Sequence, residues 1–179
     1  MGFTIQQDQA KVKAACRFQM NAELTELHLL DCSAAITETS GQPESQLRLG
    51  LQFEPSILGA EQGNARFAVR IKVFGDPKDA ELQADKHLLE VACQFALGYA
   101  LKPGYTPSEQ DLDAFKEGNA IFHCWPFFRE LVQNLTMRMG LQISPLPLLR
   151  LAPKAAPKKQ PAGRSSRDQK DAAPHNHPG

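Results

Sequence analysis

Residues 67–77 read FAVRIKVFGDP, and this stretch decides the fold class. Phe67, Val69, Ile71 and Val73 alternate with Ala68, Arg70, Lys72 and Phe74. A period of two belongs to a strand with one buried face and one wetter face. Gly75-Asp76-Pro77 ends it. Upstream, Leu47, Leu49, Leu51 and Phe53 alternate with Arg48, Gly50 and Gln52, and Gly59 to Asn64 supplies a turn-rich connection. Further out, Ala22 to Asp31 sets Leu24, Leu27, Leu29 and Leu30 among Glu23, Thr25, Glu26 and His28. The alternation is imperfect but still predicts a strand. Residues 32–44 hold Ser33, Thr37, Thr39, Ser40, Gly41, Gln42 and Pro43 and read as a loop. On the other side, Asp85 to Leu101 is long enough for a helix. Val91, Phe95, Tyr99 and the internal Gly98, following a strand, favour a fourth antiparallel strand instead.

Two helices come next. Ser108 is a suitable N-cap with Asp111 at capping-box spacing, and this short helix is expected to stop near Gly118. A second helix is expected from about Trp125, with Pro126 in its first turn, where the missing N–H costs nothing. Phe128, Leu131, Val132, Leu135 and Met139 form one apolar stripe, and Gly140 suits the residue past the end. The expected fold is therefore α+β: a four-stranded antiparallel sheet with two helices packed on one face. Residues 1–20 read as a lead-in, 21–151 as the domain, and 152–179 as a disordered basic tail rich in Pro, Ala and Lys.

The formal net charge of zero hides an asymmetry. Residues 1–151 carry 14 basic and 18 acidic side chains, and residues 152–179 carry 6 and 2. A mildly acidic body gives no footprint for nucleic acid. The four cysteines, Cys16, Cys32, Cys93 and Cys124, are widely and irregularly spaced. That argues against structural zinc and a disulfide scaffold and fits reduced thiols in the cytoplasm. Met1 to Lys13 has no apolar core of a signal peptide, and no run reaches the ~20 apolar residues of a membrane span.

Signs of catalysis are missing. The sequence holds no phosphate loop, dinucleotide turn, nucleophile elbow or zinc-protease helix. His123-Cys124 is expected to be a packed pair, because catalytic partners meet through space rather than by adjacency. His175 and His177 lie in the tail, without fixed metal geometry. Asp111 and Asp113 suit a helix dipole. No catalytic residue, metal ligand or cofactor is expected. What stands out is an excess of large apolar groups, with Trp125, Phe127, Met137 and Leu141 beside the stripe. Either they pack as core and oligomer interface, or they line a groove for apolar segments of other chains.

A resemblance favours the groove. Trp125-Pro126-Phe127-Phe128-Arg129-Glu130 resembles the opening of the long helix in SecB export chaperones. Arg138-Met139-Gly140, followed by Pro145-Leu146-Pro147, is similar to that helix's end and exit. Leu88-Leu89-Glu90-Val91 resembles a fourth-strand segment. The resemblance implies homotetramers built as dimers of dimers, which hold unfolded precursor proteins and deliver them to the SecA export motor. It implies a client groove at Ile36, Trp125, Phe127, Phe128, Leu131 and Leu135, and SecA contacts at Asp31, Leu88 and Glu90. Ala35 stands where the family carries an acidic residue, and the 32–44 loop has Ile36 as its one large apolar group. These departures mark a divergent SecB-like protein. Some such relatives serve one partner, such as an antitoxin, and that alternative stays open.

Overall fold

A computed structural model of the chain describes residues 3–37, 47–61, 63–77, 87–141 and 143–154. Its elements are β1 (Phe3–Gln7), α1 (Gln9–Met20), β2 (Ala22–Ile36), β3 (Leu47–Glu61), β4 (Asn64–Pro77), β5 (Leu89–Leu101), α2 (Glu109–Phe115), α3 (Ile121–Arg138) and β6 (Leu149–Pro153). The four expected strands form one antiparallel sheet in the order β2-β5-β4-β3. Strands β2 and β3 follow one another in sequence yet occupy opposite edges. The expected 32–44 loop begins later: Cys32 to Ile36 continue β2, and residues 38–44 lie outside the described residues.

Two bulges explain the imperfect alternation of β2. They fall between Leu24 and Glu26 and between Leu29 and Asp31. Each inserts one residue and re-phases the strand. Leu24, Leu27, Leu29, Cys32, Ala34 and Ile36 thus sit opposite Tyr99, Leu97, Phe95, Cys93, Val91 and Leu89. Those β5 residues all belong to the buried core, together with Phe67, Val69, Ile71 and Val73 of β4. One face of the sheet is therefore apolar along its whole width, and the helices pack on it.

Residues 1–20 are not a lead-in but contain a strand and a helix. Asp8 caps α1 by accepting from the Lys11 N–H, and Ala14, Ala15 and Phe18 are buried. Phe18 lies with its ring centroid 4.3 Å from that of Phe115. This helix escaped sequence reading because its buried side is mostly alanine, which hardly marks an apolar stripe. Strand β6 pairs in parallel with β1, so ordered structure runs to Pro153, past the expected boundary at 151. The remainder of the tail lies outside the described residues.

The helical region also departs from expectation. Ser108 and Asp111 do form a capping box. However, the chain does not stop at Gly118; it passes through a π-helical turn, Lys116–Ala120, directly into α3. Gly118 is needed for close approach: a Cβ there would lie 2.6 Å from Nε2 of Gln7. That amide donates to the Ala114 carbonyl at 2.9 Å. Pro126 consequently sits inside α3 rather than in its first turn, where it removes one intrahelical bond. Gly140 ends α3 with φ 79°, as expected for the left-handed residue after a helix.

Candidate functional site

The apolar sheet face is wider than the helix that covers it. Central strands β4 and β5 are buried on that face, but both edge strands are left partly open. On β3, Leu47, Leu49, Leu51, Phe53 and Ile57 are half-buried. On β2, Leu24 and Leu29 remain 41% and 45% exposed. Helix α3 packs over the central strands β4 and β5 and carries Trp125 toward β3.

The flank toward β3 is tied down. Trp125 packs its ring 6.1 Å from Phe53 and 5.8 Å from Phe3, edge-on in the second case. Its indole N–H donates to the Pro147 carbonyl at 3.1 Å, and Arg129 Nε donates to the Leu146 carbonyl at 2.6 Å. The segment after α3 is thereby held along this flank. Beside it opens a pocket of about 470 Å³, with Ile5, Phe53, Pro55 and Ile121 as apolar walls. Lys11, Glu117, Asp8 and Lys154 also line it, and Lys11 forms an ion pair with Glu117.

Among the described residues the other flank is only partly covered. Phe127, Leu131 and Leu135 lie at i, i+4 and i+8; at ~100° per residue they stand roughly 160°, 120° and 80° around the helix from Trp125. Phe127 is 47% exposed, and Leu131 and Leu135 are half-buried. His123 shares this flank. Its Nδ1 is 2.7 Å from the Tyr99 hydroxyl, and burial holds its pKa below the usual histidine range. Cys124 is fully buried, and burial pushes its thiol up to about 12. These two are packed side chains, as the sequence suggested.

The polar candidates have structural partners. Burial works against ionisation of Asp111. Arg17, at 2.5 Å, and the Ser108 cap outweigh it and hold the carboxyl below its ordinary pKa. Asp113 pairs with Lys116 at 2.7 Å. Among the described residues no cluster of three or more His, Cys, Asp or Glu side chains is arranged for a metal, and no helix is long and apolar enough to cross a membrane.

No protein-family model matches the chain. Two curated relatives from Mycobacterium tuberculosis do. They are the SecB-like chaperone Rv1957 of strain H37Rv and the SecB-like chaperone MT2006 of strain CDC 1551. Each is 27% identical over 144 residues, covering 72% of this chain and 78% of the relative. A solved structure of Rv1957, in complex with a ChAD peptide from the Rv1956 HigA1 antitoxin, superposes with a TM-score of 0.62. It is 24% identical and covers 78% of this chain and 98% of that one. The chain is similar in sequence to these SecB-like chaperones and shares the fold of Rv1957.

Within this SecB-like fold the six expected client residues do not form one surface. Trp125 and Phe128 are 2% and 0% exposed and belong to the core. Phe127, Leu131 and Leu135 lie on the partly covered flank. Ile36 is half-buried at the far end of β2, opposite Leu89. Of the three residues expected to meet SecA, Asp31 lies on β2 opposite Gln94, Glu90 on β5 opposite Ala35, and Leu88 just before β5. Asp31 lies 3.9 Å from Arg70, and Glu90 lies 2.9 Å from Lys72. Leu88 is buried. Sequence reading missed Phe53, Pro55, Ile5, Leu24 and Leu29 as surface-forming groups. Alternation placed Phe53 in a strand, but nothing in the sequence shows that its strand is an edge or that Trp125 lies above it.

Proposed function

We propose that this SecB-like protein is a holding chaperone without covalent chemistry, dedicated to a specific partner chain such as an antitoxin. The observation that carries this is the pair of incompletely covered apolar rows on either side of α3. The antitoxin peptide in the solved structure of the similar Rv1957 points to the client class. An extended client segment would lay its apolar side chains against these rows. Each gains roughly 1.5–3 kcal/mol on leaving water. Ordering the segment offsets much of that. Several grooves on a homotetramer, arranged as a dimer of dimers, would supply the rest through effective concentration. Binding the unfolded form then holds it from folding by mass action. In this reading Ile36, Phe127, Leu131 and Leu135 touch the client, with Phe53 on the opposite flank. Trp125 and Phe128 support them from beneath. The protein acts in the cytoplasm, consistent with its four free cysteines.

The test mixes purified protein with an antitoxin of the HigA type and, separately, with a panel of unrelated denatured proteins, and follows light scattering. Protection confined to the antitoxin is the expected result. Equal protection of the whole panel would favour general export instead, with hand-over to a SecA-type motor through Asp31, Leu88 and Glu90. The Phe127→Asp variant, with assembly checked by native mass measurement, is expected to lose protection. Unchanged protection would remove Phe127 from the site.

A further inference from the structure

Cys32 on β2 and Cys93 on β5 are direct partners in the antiparallel register. Their Sγ atoms lie 3.2 Å apart. Paired residues in antiparallel strands have Cα atoms about 4.5–5.5 Å apart, inside the ~4.4–6.8 Å span of disulfides. The two side chains already point at each other on the helix-side face. Their accessibility differs sharply: Cys32 is exposed, whereas Cys93 is 1% exposed. Burial, with Cys32 and Asp31 adding to it, keeps the Cys93 thiol protonated well above the ordinary cysteine range.

We propose that Cys32 and Cys93 are a reversible thiol–disulfide modification site, oxidised by a low-molecular-weight disulfide of the glutathione class. The chemistry balances in two exchanges. The Cys32 thiolate attacks one sulfur of the small disulfide. This forms a mixed disulfide on Cys32 and releases the first small thiolate, which takes up the proton that Cys32 lost. Cys93 then gives up its proton and attacks the Cys32 sulfur. The Cys32–Cys93 bond forms, and the second small thiolate leaves with that proton. Two protein thiols are oxidised and one small disulfide is reduced to two thiols. Exposure assigns the order: Cys32 is the entry thiol and Cys93 resolves it. The bond would staple edge strand β2 to central strand β5 close to its second bulge. Since β2 carries Leu24, Leu29 and Ile36, oxidation would fix the position of the more open apolar row. The inference stands on its own geometry and does not require the client reading.

The experiment incubates the full chain with oxidised glutathione, quenches in acid, alkylates under denaturing conditions and maps the peptides. A Cys32–Cys93 linked peptide is expected. Two of four thiols should lose alkylation, the chain should run at monomer size on a non-reducing denaturing gel, and dithiothreitol should reverse the change. Slower hydrogen exchange along β2 is expected in the oxidised form. Cys93→Ala should trap glutathione on Cys32; if that variant does not fold, the unmodified protein's peptide map decides alone. A Cys32–Cys32 bond between chains would overturn the proposal. So would a mixed disulfide persisting on Cys32 in the unmodified chain, or full alkylation of both cysteines.

Discussion

The two flanks of α3 use similar residues to opposite ends. Trp125 and Arg129 reach carbonyls of residues 147 and 146, so the chain folds its own exit segment against that side. Phe127 and Leu131, two positions further along, have no such strap among the described residues, and the Phe127 ring stands half exposed. The difference teaches that apolar character alone does not make a binding surface. What matters is whether the chain spends its own backbone on covering it. Here the covered flank anchors the helix beside a pocket, while the other flank leaves Phe127 exposed.

The comparison breaks first at Trp125. Trp125→Ala should cost about 3–5 kcal/mol of stability through the cavity and lost contacts, read by urea unfolding. Phe127→Ala should cost within ~0.5 kcal/mol, as for surface substitutions. Equal losses would mean that both flanks are core. The next effect in size concerns the client. Phe127→Asp should weaken partner binding by about 1.5–3 kcal/mol, the value of one buried apolar side chain, measured by calorimetry. Ser108→Ala should lower stability by ~1 kcal/mol through loss of the α2 cap.

Two pH effects sharpen the picture further. Asp111 has a depressed folded pKa, so its stabilisation is present above the unfolded value near ~3.9 and disappears as pH falls through the folded value. Asp111→Asn should therefore be less stable than the unmodified protein at neutral pH and equal to it in strong acid. His123 also has a lowered folded pKa, so burial favours its neutral form. Its contribution is complete above the unfolded value near ~6.5 and is lost as pH falls below that. His123→Gln should flatten the stability profile as pH falls below about 6.5 in thermal melts. A profile unchanged by the substitution would show that the partly covered flank does not feel this imidazole.

Much of this was legible in the sequence because periodicity is local. Alternation at 47–53 and 67–73 required strands, and Ser108, Asp111 and Gly140 carried their own capping chemistry. The sequence therefore determined four strands, an apolar long helix and the absence of familiar catalytic motifs. It did not determine which strands lie at the edges, because that depends on the order β2-β5-β4-β3 rather than on any strand's own pattern. Nor did it sort Trp125 from Phe127, since both are aromatic and only tertiary neighbours, Phe3, Phe53 and the returning segment at 146–147, distinguish them. The thiol pair likewise arises from residues 61 positions apart that meet only through strand register. Local side-chain chemistry writes secondary structure into the sequence; exposure is a property of neighbours, and tertiary packing alone supplies the neighbours.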